Sequence, residues 1–81
     1  MIGELRSKNT VVGMRRSLKI IEAGCAKKAF IAGNVEPTIT RKLLDACRQN
    51  GVALELVATK AELGKACGID VDAAVAVIKK D

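Results

Sequence analysis

Two short stretches of this chain carry residue types that could do chemistry. The first is Val12-Gly13-Met14-Arg15-Arg16-Ser17-Leu18-Lys19, where a glycine precedes a helix-compatible run with three cations. The free N–H groups of a starting helix attract phosphate oxygens, and glycine lets another backbone approach closely. Lys19 follows Arg15 by four residues and Arg16 by three, spacings that can share one helix face. Arginine or lysine can also donate to O6 and N7 of guanine, so one helix end can hold a phosphate backbone and read a base edge. The same spacing also fits a merely solvated basic face. The second stretch is Leu63-Gly64-Lys65-Ala66-Cys67-Gly68-Ile69-Asp70-Val71-Asp72-Ala73. Two aliphatics in a loop bracketed by glycine and acid suggest an exposed apolar patch, and the plainer alternative is a loop that fills the core.

The residue types that are missing exclude more chemistry than those present admit. Without a histidine, Ser-His and Cys-His nucleophile pairs and the usual proton shuttle near neutral pH are excluded. Cys25, Cys47 and Cys67 are widely spaced and form no Cys-x-x-Cys pair, so neither a zinc site nor any other metal centre is expected. Cys25 and Cys47 fall on apolar helical stripes and are expected to pack as small hydrophobes, whereas Cys67, beside Lys65 near a helix end, is the more open to reaction. Phe30 is the sole aromatic residue, which removes the stacking platforms of RRM and OB-type single-strand binders. A non-enzymatic protein without a cofactor is the expectation.

The elements that must position these stretches follow from periodicity. Ile2 to Lys8 reads as a short first helix, and Asn9 to Gly13 as a brief strand turning into a helix that starts near Met14. Met14, Leu18, Ile21 and Cys25 then recur at helical spacing, with Gly24 placed to stop the helix. Ala29 to Gly33 is apolar on both alternating faces, as expected of a central strand covered on each side. Pro37 opens a helix that carries Ile39, Leu43, Ala46 and Cys47 and stops at Asn50-Gly51, before a strand over Val52 to Val57. Thr59 and Glu62 have the spacing of a capping box for a helix ended by Gly68, and Ala73 to Ile78 reads as a last strand. Strands alternating with helices imply an α/β fold, a sandwich with a sheet of about four short strands and helices on both faces.

At 81 residues, with 49% hydrophobic and 28% charged, the chain is expected to form one domain over 1–81 with a core of its own. Its longest apolar run, Ala73 to Ile78, is far below the roughly 18 to 20 residues of a spanning helix, and Met1-Ile2-Gly3-Glu4 lacks the apolar stretch of a signal peptide. A soluble, cytoplasmic protein without a membrane partner is expected. The net charge is +5, and residues 1 to 28, with seven basic and two acidic residues, carry all of it. In sequence, that asymmetry looks like a localised phosphate-binding face.

The segment Glu62 to Ile78, Glu-Leu-Gly-Lys-Ala-Cys-Gly-Ile-Asp-Val-Asp-Ala-Ala-Val-Ala-Val-Ile, resembles the C-terminal signature of the L7Ae/L30e family of ribosomal proteins, most closely its small bacterial members. The likeness continues in Gly13 opening the basic helix, Ala23-Gly24, the Asn34-Val35-Glu36-Pro37 turn and Asn50-Gly51-Val52. The resemblance implies a three-layer α/β/α sandwich with a mixed sheet. It also implies binding of kink-turn RNA, a sharply bent helix-bulge-helix with tandem sheared G·A pairs and one base flipped from the bulge. By that pattern Gly13, Met14, Arg15, Arg16 and Lys19 would enter the widened groove at the G·A pairs, and Ile69, Asp70 and Val71 would cover the flipped base.

Three positions depart from the family pattern, an adjacent pair and one residue in the C-terminal segment. Archaeal and eukaryotic members carry Asn-Glu, and bacterial relatives commonly Lys-Gln, where this chain has Arg15-Arg16. Arginine accepts no hydrogen bond, so Arg16 cannot replace a glutamate acceptor and is left to donate to guanine O6 or N7. Asp72 stands where a small neutral residue is usual, and its carboxylate either repels nearby phosphate or points to solvent. The resemblance thus makes a structured RNA, ribosomal or regulatory, the expected partner of a monomer, with no DNA expected. The alternative is a protein-protein adaptor of the same fold with a non-specific basic face.

Overall fold

Apolar side chains occupy both faces of the central strands, and this decides the layering. The computed structural model describes Leu5 and residues 8–80. In chain order it has β1 (Thr10–Val12), α1 (Met14–Glu22), β2 (Ala26–Ala32), α2 (Pro37–Asn50), β3 (Ala53–Val57), α3 (Lys60–Ala66) and β4 (Val75–Lys79). The strands form one mixed sheet in the order β1-β4-β2-β3, with β2 and β3 parallel and the other two pairings antiparallel. Ala29, Ile31, Val75 and Val77 pack with Ile21 of α1 and Leu43, Ala46 and Cys47 of α2. The intervening Phe30, Ala32, Ala76 and Ile78 pack on the opposite face with Leu63 of α3 and Leu5. The result is the expected three-layer α/β/α sandwich. The β2-α2-β3 connection is the helical crossover that a parallel pair requires.

Local signals explain most boundaries. Gly51 caps α2 in the left-handed conformation at φ 65°, a geometry costly for residues with a Cβ. Thr59 is the N-cap of α3, its hydroxyl accepting from the Glu62 N–H at 3.1 Å. The strand expected from Ala29 instead begins at Ala26, because Lys28 pairs with both Ala53 and Ile78, partners invisible in its own alternation. The last strand starts at Val75, two residues later than expected. Its register against β1 and β2 places β4 in the sheet interior and leaves β3 as an edge.

One expectation is corrected. Cys25 does not extend the apolar stripe of α1, because the helix ends at Glu22 and the chain turns through Gly24 at φ 75°. Cys25 is exposed, while Cys47 is buried as expected. The helix expected over Ile2 to Lys8 lies outside the described residues apart from its Leu5, which is fully buried, and the exposed Lys8.

Candidate nucleic-acid interface

The start of α1 is built by a backbone that only glycine adopts readily. Gly13 has φ 113° and ψ 145°, and its N–H donates to the Val75 carbonyl at 3.0 Å. That bond fixes the helix start to the first residue of β4. No heavy atom lies within 4 Å of a Cβ placed on Gly13, so the requirement there is conformational rather than spatial. As N-cap, glycine offers no side-chain acceptor, and the first turn holds no acidic residue. The N–H groups of Met14, Arg15 and Arg16 precede the first internal helical bond and face outward with the positive end of the helix dipole.

Arg15, Arg16 and Lys19 are exposed on this helix, while Met14 is half-buried against the core beside Leu18 and Ile21. Ser17, which follows Arg16, turns inward and is fully buried, and its hydroxyl has no hydrogen-bond partner among the described residues. Inward Ser17 and Ile21 set the rotation of the helix, which keeps the cations outward.

The second candidate stretch folds back along α3. The Ile69 N–H donates to the Gly64 carbonyl at 3.1 Å, and the Ala73 N–H to the Lys60 carbonyl at 3.0 Å. Between these two ties the chain rises as a ridge. Val71 is 69% exposed at its crest, Asp70 and Asp72 are exposed beside it, and Ile69 is half-buried against the core around Leu63. The two aliphatics therefore divide the readings the sequence left open: Ile69 fills the core and Val71 forms a surface knob. Ile69 to Asp72, with Ala61, Glu62 and Lys65, line a depression of about 380 Å³.

Sequence reasoning missed the role of Gly64. It lies inside α3, where glycine is disfavoured by about 1 kcal/mol relative to alanine. A Cβ there would overlap the Val71 carbonyl oxygen and stand 3.3 Å from the Asp72 Cα. Gly64 thus lets the ridge lie directly on the helix. The signal was a glycine in a helix interior whose helical context gives no local reason for it.

The two stretches reach the same end of the sheet. Val71 lies four residues before Val75, whose carbonyl holds Gly13. The cations of the N-terminal third do not all gather there, however. Lys27 and Lys28 lie at the start of β2, the opposite end of the sheet. Lys28 is engaged by Glu55 at 2.8 Å and sits 5.1 Å from the Phe30 ring centre. The charge asymmetry in sequence is therefore split between two places in space.

Burial raises the thiol pKa of Cys67, as it does that of Cys47, which disfavours the reactive thiolate. Among the described residues no group of cysteine and acidic side chains could hold a metal ion, and no helix is long and apolar enough to cross a membrane.

Comparison with known proteins finds the same fold and related sequences. A solved structure described as a Giardia lamblia 15.5kD RNA binding protein superposes with a TM-score of 0.88 over 99% of this chain and 68% of its own, at 30% identity. An RNA-binding protein of Caldanaerobacter subterraneus is 36% identical over 66 residues, 82% of this chain and 80% of the relative. The large ribosomal subunit protein eL8 of Nitrosopumilus maritimus is 40% identical over 67 residues, although the match spans only 52% of that longer protein. The family model described as ribosomal protein L7Ae/L30e/S12e/Gadd45 matches residues 3–81. With nearly the whole chain matched and the fold shared, the protein belongs to the L7Ae/L30e/S12e/Gadd45 family.

Proposed function

We propose that this protein is a non-enzymatic RNA-binding protein that captures the bent form of a kink-turn, as a monomer and without a cofactor. The observation that carries the reading is the open N-terminus of α1, with exposed Arg15, Arg16 and Lys19, at the same end of the sheet as the exposed Val71. Relatives named as RNA-binding and ribosomal proteins support RNA as the ligand class. The backbone N–H groups of Met14 to Arg16 and the Lys19 ammonium meet phosphates crowded at the bend. Arg15 and Arg16 donate to guanine O6 and N7 at the G·A pairs. Val71, with Ile69 behind it and Asp70 beside it, shelters the flipped base by apolar contact, a task that needs no aromatic ring. Contacts made only to the bent form pull the RNA into it by differential affinity.

The test is a titration of a standard kink-turn RNA against a straight duplex of equal length, at about 50 and 150 mM salt, with bending followed by energy transfer between the RNA ends. Tight, kink-selective binding that survives the higher salt and brings the RNA ends together is expected. Val71→Asp should reduce affinity for the kinked RNA while leaving the straight duplex unaffected. Equal, salt-sensitive binding to both RNAs would overturn the reading in favour of a non-specific basic face.

A further inference from the structure

Away from the α1 start, the tertiary structure collects a second group of cations from residues remote in sequence. Lys79 pairs with Ala26 in the register of β4 against β2, and its N–H donates to the Asn9 carbonyl at 2.9 Å. The Lys80 N–H donates to the Cys25 carbonyl at 2.8 Å. Lys8 precedes Asn9, and Lys27 follows Ala26. Four exposed lysines, Lys8, Lys27, Lys79 and Lys80, thus lie at adjoining backbone positions at one end of the sheet. Against them stands Glu22 at the end of α1. The ridge at the other end is acidic instead, with Glu62, Asp70 and Asp72 around Lys65. Strand β2, seven residues long, separates the two ends by about 20 Å at roughly 3.3 Å per residue.

We infer that Lys8, Lys27, Lys79 and Lys80 form a second RNA-contacting surface that holds the phosphate backbone of a double-helical segment other than the one read by α1. This inference rests on the proposed RNA-binding role. Lysine ammonium groups on flexible stems suit phosphates without base readout. The chain's one aromatic residue, Phe30, is buried, so this surface offers no platform for unstacked bases, and a duplex is the form of RNA it fits. Two surfaces at opposite ends of one sheet let the protein clamp a kink against a neighbouring helix of a folded RNA.

The experiment loads the protein with saturating unlabelled minimal kink-turn RNA and titrates in a labelled straight RNA duplex. The loaded protein is expected to capture the duplex, with log K falling against log salt at a slope of roughly −3 to −4, about −0.9 per phosphate engaged. The variant Lys8→Gln, Lys27→Gln, Lys79→Gln, Lys80→Gln should lose at least tenfold in duplex affinity and keep its kink-turn affinity within twofold. Should the fourfold variant not fold, the double variant Lys27→Gln, Lys80→Gln is expected to lose about half the salt slope. Exclusion of the duplex from the loaded complex, or equal capture by the variants, overturns the inference. Failure of kink recognition itself is seen in the loading step. In that case duplex titrations of the free protein still decide: a salt slope lowered by the lysine changes supports the second surface, and an unchanged slope overturns it.

Discussion

The N-termini of α1 and α3 are opposites. At α3, Thr59 supplies a hydroxyl to the Glu62 N–H at 3.1 Å, and the Asn34 side-chain oxygen accepts from the Lys60 N–H at 2.8 Å. Both acceptors come from the protein, and Glu62 adds a negative charge in the first turn. At α1 the cap is Gly13, no acid sits in the first turn, and two arginines do. Four N–H groups at a helix start lack intrahelical partners, and each must find one. At α3 those of Lys60 and Glu62 find partners within the fold, which makes that end a structural joint. At α1 the Gly13 N–H is tied to the Val75 carbonyl, but the N–H groups of Met14, Arg15 and Arg16 receive no side-chain cap, and the φ of 113° at Gly13 disfavours the Ser, Thr or Asp that would supply one.

The largest effect expected from this contrast is on binding. Arg15→Ala combined with Arg16→Ala should weaken kink-turn affinity by about a hundredfold, from ~1 to 3 kcal/mol per guanine contact, with the thermal midpoint nearly unmoved. Thr59→Ala should do the reverse, destabilising the fold by about 1 kcal/mol in a denaturant titration and leaving RNA affinity within twofold. An RNA defect in Thr59→Ala as large as that of the arginine variant would break the contrast between the two helix ends.

Gly64→Ala sits between these in effect and joins them, because it acts on the ridge that α3 carries. The Cβ forces Val71 and Asp72 away from the helix at ~1–3 kcal/mol, partly offset by the better helix propensity of alanine. Affinity for the kinked RNA should fall with little change for a straight duplex. Adding Gly64→Ala to Val71→Ala should then cost much less binding than it does alone, a non-additivity that marks the two as one unit.

Smaller still is Ser17→Ala at the buried side of α1. Removing a hydroxyl without a partner should leave the protein as stable or up to ~1 kcal/mol more stable, read as a higher urea midpoint with an unchanged slope. The smallest effect concerns the residues beyond the two helices. Exposed Cys25 should react with a thiol reagent at pH 8 before Cys67, and Cys67 before buried Cys47. Because burial raises the thiol pKa of Cys47 and Cys67 in the folded state, their contribution to stability is complete below the ordinary thiol value of 9.0 and is lost as pH rises past it.

Much of the fold was legible because its signals are local. The alternation of Ala29, Phe30, Ile31 and Ala32 marks a strand covered on both faces, and Asn50-Gly51 and Thr59 to Glu62 mark helix ends within four residues of the groups they satisfy. Gly13 with Arg15, Arg16 and Lys19 was legible for the same reason, since one turn of helix brings them together. Cys25 was misread because its spacing continued a stripe after the helix had stopped, and an i, i+4 pattern carries no record of where the backbone ends.

The sequence by itself determined the elements, the apolar faces that stack into three layers, and the open start of α1, all set by interactions reaching no further than one helical turn. Only the tertiary structure decided the rest. It made Val71 a knob and Ile69 core, placed Gly64 beneath the ridge, and paired β4 between β1 and β2. It also parted the cations of the N-terminal third and set Lys8 and Lys27 beside Lys79 and Lys80. The place of β4 and the gathering of the lysines depend on strand pairings between residues remote in sequence, as in Ala26 with Lys79, and neither propensity nor periodicity encodes which strand a chain will meet.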